Sequence, residues 1–319
     1  MANRKPFRFG VINETPLPAE QWFSHVRRIE ELGYATFLIR DHLTPDFFGY
    51  QFAPLIALTA AAGVTSRLRL GTLVIDNDFR HPALLAKEVA TLDLLSGGRF
   101  ELGLGAGWMR REYDAAGLPY DRAGLRIDRL EESIAVLKGL IAEGAFSHNG
   151  THYQIDQLEN VPRAHQDPHP PLLIGGGKKR VLTLAGREAD IVSLLTVSVA
   201  TGGVEDDPSE RLAPAVLQKL GWIREGAGER FDQIELSLVP TLLPTDNARQ
   251  RAAELIAERG WSGVTVDDVL AMPSLLFGSE DEMIDTLIRR RDEYGFSYFV
   301  VSDKRAEQLA PIVARLAGR

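Results

Sequence analysis

Residues 95–108 read Leu-Ser-Gly-Gly-Arg-Phe-Glu-Leu-Gly-Leu-Gly-Ala-Gly-Trp. The paired glycines Gly97-Gly98 close a helix opened by Pro82, whose missing N–H is not needed in a first helical turn. A strand, Phe100–Gly105, follows at once and ends in the tip Ala106-Gly107-Trp108. Helix, tight turn and buried strand make one repeat of an α/β chain, and the same rhythm runs outward in both directions. Further strands are predicted at Phe7–Ile12, Ala35–Ile39, Leu68–Ile75, Leu172–Gly175, Asp190–Leu195, Ile234–Val239 and Ser297–Val301. Several are continuous apolar runs rather than alternating ones, which suits parallel strands buried on both faces. Between them, Pro18 fits N1 of a helix ending near Gly33, and Arg126–Glu143 is amphipathic with Leu130, Ile134, Leu137 and Ile141 on one face. Ser279-Glu280-Asp281-Glu282 is a capping box, with Gly295 placed to end that helix. Eight strands separated by helices in 319 residues predict a single (β/α)8 TIM barrel spanning 1–319; a doubly wound sheet is the competing arrangement.

Two stretches break the rhythm and read as insertions. Residues 146–171 carry the hairpin signal Asn149-Gly150 and then a Pro/His-rich segment. Residues 197–209 are polar and Gly-rich, and read as a mobile loop after the sixth strand.

The composition narrows the function. With 45% apolar and 25% charged residues, the chain can bury a sizeable core. A net charge of −8 argues against a general nucleic-acid binder. There is no cysteine, so disulfides, thiolate metal sites and a cysteine nucleophile are excluded. No apolar stretch near Met1 resembles a signal peptide and no run is long enough to span a bilayer, so a cytoplasmic enzyme without a membrane partner is expected. The barrel tips show no paired carboxylates for glycoside hydrolysis, no G-x-S-x-G elbow and no phosphate-binding P-loop. Gly103 fails as the start of a dinucleotide fingerprint because Trp108 stands where the last glycine belongs. The histidine pairs His148/His152 and His165/His169 are four residues apart, yet the intervening Gly and Pro exclude helices that would aim both at a metal; no metal site is expected.

Chemistry in a barrel sits at the C-terminal ends of the strands. Arg40-Asp41-His42-Leu43 ends the second strand, ahead of the aromatics Phe47, Phe48, Tyr50 and Phe52. A histidine beside a carboxylate at such a tip can move protons, the alternative being a structural histidine. Leu172 to Lys178 runs into Gly175-Gly176-Gly177 and then Lys178-Lys179-Arg180 at a helix start. Basic residues oppose the helix dipole there, so a bound phosphate gives them a reason; the alternative is an ordinary turn with surface lysines. Thr72-Leu73-Val74, followed by Asp76-Asn77, ends the third strand, and Asn13 ends the first. Together these tips form a polar ring suited to a flat ligand.

Taken together, these residues resemble the luciferase-like oxidoreductase superfamily, in particular its branch using the deazaflavin coenzyme F420. The stretches that carry the likeness are Arg40–Leu43, Leu70–Val74, His81-Pro82, Leu95–Trp108, Glu112-Tyr113 and Leu173–Lys178. The resemblance implies a small organic substrate, F420 (alternatively FMN) at the barrel mouth, and family habit suggests a homodimer. It implies that His42 moves the proton, that Asp41 contacts the ring system, and that Leu73-Val74 forms a bulge with a cis peptide behind the ring. Ala106 and Gly107 would lie near the ring, with the phosphate near Gly176–Lys178. Phe47, Phe48 and Trp108 suggest a partly apolar substrate pocket. Where some sugar-phosphate-oxidising members carry an acidic residue after Gly-x-Gly, this chain has Trp108, which argues against glucose-6-phosphate oxidation. The rival readings are an FMN-dependent monooxygenase of the same fold and a non-redox hydrolase or ligand-binding barrel.

Overall fold

The computed structural model describes residues 5–15, 17–45 and 49–319. Eight parallel strands form the barrel: β1 (Arg8–Ile12), β2 (Thr36–Ile39), β3 (Arg69–Thr72), β4 (Phe100–Gly105), β5 (Leu172–Gly176), β6 (Ile191–Leu194), β7 (Glu235–Leu238) and β8 (Phe296–Ser302). Each pairs with the next, and β8 pairs with β1 from Arg8↔Tyr298 to Ile12↔Ser302, so the sheet closes. The predicted (β/α)8 barrel is therefore present, with its strands within a few residues of their expected places.

The helices are α1 (Ala19–Glu31), α2 (Pro54–Ala62), α3 (Pro82–Ser96), α4 (Arg110–Ala116), α5 (Ala123–Ile141), α6 (Lys179–Glu188), α7 (Ala213–Ala227), α8 (Ala248–Arg259), α9 (Val266–Ala271), α10 (Glu280–Tyr294) and α11 (Ala306–Leu316). Pro82 opens α3 as expected, and Gly97 ends it at φ 67°. The capping box of Ser279 and Glu282 and the left-handed Gly295 bound α10. Pro18, by contrast, sits one position earlier than expected, as the N-cap of α1.

The third strand departs from its expected span. It runs only from Arg69 to Thr72; the chain then leaves the ladder, and Ile75-Asp76 rejoins β4 opposite Leu104 and Gly105. The peptide between Leu73 and Val74 is cis, as the family likeness implied.

Register fixes which side chains enter the barrel. At the lower end Arg8 bonds Glu101 and Glu235, Arg69 joins Glu101, and the Arg8 guanidinium lies 3.9 Å from the Tyr298 ring centre. Higher up, Ile12, Leu38, Leu173, Ile191, Tyr298 and Val300 fill the interior, with Leu73 and Val74 above them. A larger core seals the barrel to the helices.

Three segments depart from the simple repeat. Ala145–Asn149 and Gln154–Glu159 pair as the expected hairpin, whose turn is gripped by Glu132 of α5 through the N–H groups of Thr151, His152 and Tyr153. Residues 197–209 carry an antiparallel bridge between Ser198 and Glu205. The third is not foreshadowed by any sequence signal: Thr241–Pro244 and Leu275–Gly278 form a parallel ribbon around α8 and α9 with its own apolar core. Among the described residues no helix is long and apolar enough to cross a membrane.

Candidate active site

The tip of β2 places two adjacent side chains in opposite electrostatic settings. Asp41 is buried; Arg80 binds it with both terminal nitrogens, Nη2 at 3.2 Å from Oδ1, and the Asp76 N–H donates to Oδ2 at 3.2 Å. His42 instead places Nδ1 3.0 Å from Oε2 of Glu112, a buried carboxylate on α4. The other oxygen of Glu112 accepts from the N–H of Leu43 at 2.7 Å and of Thr44 at 3.0 Å. Burial works to raise the Glu112 pKa, but the bonds from His42, Thr44 and Leu43 outweigh it and hold the carboxyl below its ordinary range.

A second acidic group lies behind the β4 tip. Asp76 accepts from the Tyr113 hydroxyl at 2.9–3.0 Å and from the Asp78 N–H at 3.0 Å. Burial, helped by the nearby charges of Asp78 and Asp41, pushes its pKa up to about 7. Gly107 has φ 71°, and a Cβ there would stand 2.5 Å from an Asp76 oxygen, so this tip accepts only glycine for both reasons. Asp78 is neutralised by Arg129, whose Nη2 lies at 2.7 Å.

The bulge after β3 explains three glycines of β4 and β5, Gly103, Gly105 and Gly175. A Cβ at Gly105 would come within 2.6 Å of a Val74 methyl and at Gly175 within 3.3 Å, whereas at Gly103 it would strike the Thr72 backbone carbonyl, with Val74 at 3.2 Å. The bulge after β3 thus lays Val74 over Gly105 and Gly175, while Gly103 makes room for the Thr72 carbonyl. Thr72 repairs the interrupted ladder, its hydroxyl bonding both the carbonyl and the N–H of Gly103.

Trp108 meets His42 edge to face, with ring centres 5.9 Å apart. Its carbonyl accepts from the Tyr120 hydroxyl at 3.0 Å, and the Ala106 carbonyl accepts from Arg126 at 3.2 Å. The loop after β6 reaches this region, because the Arg110 N–H donates to the Gly202 carbonyl at 3.2 Å.

At the β5 tip, Gly176 ends the strand and Lys178 is the N-cap of α6, whose first turn has no side-chain cap. Lys178 is ion-paired with Glu210, Lys179 with Glu225 at 3.0 Å, and Arg180 with Asp128. Glu210 also holds Lys219, an almost fully buried lysine whose ammonium donates to the Leu195 carbonyl at 2.9 Å. A Cβ on Gly177 would meet Leu195 at 3.1 Å, so this cluster backs the glycine turn.

Of the residues singled out from sequence, His42 and Trp108 are brought into contact, and Thr72, Leu73, Val74 and Gly175 share one wall. Asn13 stands apart: its amide donates to Asp303 at 2.8 Å and accepts from the Trp22 indole at 3.0 Å. Phe47 and Phe48 lie outside the described residues. Among the described residues no cluster of three or more potential metal ligands occurs.

The family model described as luciferase-like monooxygenase matches residues 6–203, from the start of β1 into the loop after β6. The chain belongs to this family. Within the luciferase-like family it is similar to an F420-dependent glucose-6-phosphate dehydrogenase of Nakamurella multipartita, 30% identical over 288 residues, covering 89% of this chain and 79% of the relative. It is also similar to an FMNH2-dependent dimethylsulfone monooxygenase of Pseudomonas putida, 32% identical over 131 residues, 41% of this chain and 36% of the relative. In fold it resembles the coenzyme F420 dependent tetrahydromethanopterin reductase of Methanopyrus kandleri, with TM-score 0.73, 21% identity and 98% of each chain covered.

Sequence reasoning missed three partners in this luciferase-like site. Glu112 was visible only as part of a matching Glu-Tyr pair, and nothing in its spacing announced contact with His42. Arg80 precedes the His-Pro helix start, where a cation has no local reason to be; that was an available signal. Glu210 lies 32 residues from Lys178, and only the fold joins them.

Proposed function

We propose that this chain is an F420-dependent oxidoreductase that transfers hydride between C5 of the deazaflavin and a small organic substrate, with His42 as proton donor or acceptor. The observation that carries the reading is the pairing of partly buried His42 with the buried, ionised Glu112 at a barrel strand tip, beside the Trp108 ring. The residues present fit the coenzyme. The uncapped first turn of α6 leaves backbone N–H groups for an anion, with Lys178 at its edge. Gly175, Gly176, Gly177, Lys178 and Lys179 would hold the phosphate, while Leu73, Val74, Ala106 and Gly107 would form the wall against the ring system. Thr72 would support that wall from behind, and Asn13 would act through Asp303 and the β1 tip. The coenzyme, when bound, supplies the redox chemistry.

The chain's own part is to bind, orient and move a proton. Asp41 is committed to Arg80 and to the Asp76 N–H, so it fixes the loop after β3 and sets the local charge. Trp108 would wall the substrate side and favour apolar or aromatic substrates, with Phe47 and Phe48 as further candidates. The Nakamurella relative supports F420 through its coverage of most of the chain.

FMN-dependent monooxygenation is the second reading, favoured by the Pseudomonas relative. Titrating the purified protein with F420 and with FMN decides between them. Tighter FMN binding together with oxygen consumption would replace F420 by FMN.

The chain is further read as one barrel domain over 1–319 with insertions at 146–171 and 197–209, working in the cytoplasm as a homodimer. Light scattering of the purified protein tests the dimer.

A further inference from the structure

We propose that Glu112 selects the tautomer of His42, keeping the imidazole proton on Nδ1 so that Nε2 is the basic nitrogen of the neutral ring. This rests on the reading of His42 as the proton-transfer group and assigns Glu112 as its positioning residue.

The geometry allows one assignment. Oε2 of Glu112 stands 3.0 Å from Nδ1. An ionised carboxylate has no proton to give, so Nδ1 must donate. The side chain cannot swing away, because Oε1 is fixed by the N–H groups of Leu43 at 2.7 Å and Thr44 at 3.0 Å, with the Thr44 hydroxyl at 3.4 Å. Those backbone groups follow His42 directly in the chain, so one carboxylate sets both the loop and the ring it carries. Glu112 is 2% exposed, and water does not compete for these bonds.

The same geometry makes the amide variant informative. In Glu112→Gln the donors of Leu43 and Thr44 require the carbonyl oxygen at the Oε1 position. The NH2 group then takes the Oε2 position and faces Nδ1. A donor there needs Nδ1 as acceptor, and the proton moves to Nε2. A substitution that changes almost no volume therefore inverts the tautomer. A residue whose role was purely structural would leave the ring's protonation pattern alone.

The test is nitrogen NMR on protein labelled at its seven histidines, with the His42 signals assigned by their loss in His42→Asn. Spectra are taken at a pH where the ring is neutral. The wild-type protein should show a pyrrole-type Nδ1 and a pyridine-type Nε2, and Glu112→Gln should exchange the two. Its affinity for F420 should stay within a factor of about two, since Glu112 makes no part of the coenzyme cradle. A neutral wild-type His42 with its proton on Nε2 overturns the inference. So does a Glu112→Gln spectrum with the wild-type tautomer. If the variant does not fold, the wild-type spectrum decides alone. If His42→Ala turns over normally while the tautomer result stands, the proton-transfer reading falls and the control of the ring by Glu112 does not.

Discussion

The hydroxyl of Thr72 bonds both polar groups of one peptide neighbour: it donates to the Gly103 carbonyl at 2.9 Å and accepts from the Gly103 N–H at 2.8 Å. It does so where β3 leaves the ladder and before Ile75 rejoins it. Thr72 is 1% exposed, so both backbone groups depend on it. Thr72→Val keeps the shape and leaves a buried donor and acceptor unsatisfied. A loss of about 1–3 kcal/mol per group is expected. Chemical denaturation measures it, and Thr72→Ser should recover most of the loss.

The β5 tip yields a pair of opposed changes. Lys178→Ala removes a charge-assisted contact and should raise the F420 dissociation constant by about 1–3 kcal/mol. Glu210→Gln releases Lys178 from its carboxylate and should lower that constant. Fluorescence titration reads both. Unchanged affinity in Lys178→Ala and Lys179→Ala alike places the phosphate elsewhere.

His42→Ala should bind coenzyme normally and turn over about 10²–10⁴ times more slowly, the range for a lost general acid or base. Rates on whichever substrate the wild-type enzyme accepts provide the check, and parental turnover would make His42 a structural residue.

Asp76 predicts a pH dependence of stability. Its pKa is raised from 3.8 to about 7 in the fold, so the folded chain holds a proton that the unfolded chain has released. The favourable contribution is complete below about pH 4 and is lost as pH rises to about 7. Asp76→Asn carries no such titration, so its stability relative to wild type should improve across that window and level off above it. Denaturant midpoints of both proteins at several pH values test the sign; a flat difference contradicts it.

Much of the architecture was legible because each barrel strand is an apolar run between strong helix punctuation. Pro82 with Gly97 and Ser279 with Gly295 are local signals, and local physics places them. The ribbon of Thr241–Pro244 and Leu275–Gly278 was not legible, since each strand is four residues long and acquires meaning only beside the other. The site divides in the same way. His42, Trp108 and the β5 glycines stand in readable sequence, whereas Glu112, Arg80 and Glu210 act on residues 70, 39 and 32 positions away. The glycines of β4 are an instructive middle case. They suggested a nucleotide fingerprint that failed; Gly105 makes room for Val74 of the adjacent bulge and Gly103 for the Thr72 carbonyl.

The bond between Arg110 and Gly202 makes two loops into one unit of exchange. Gly202 has φ 88°, and a Cβ there would stand 2.8 Å from the Arg110 Cβ, so the anchor accepts neither a side chain nor much displacement. The segment that follows β6 is thereby moored to the segment that follows β4, passing the glycine turn of β5. Grafting residues 197–209 from a relative onto this scaffold leaves the graft without its mooring unless residues 108–120 travel with it. New substrate preferences in this barrel are expected to arise by replacing the two segments together.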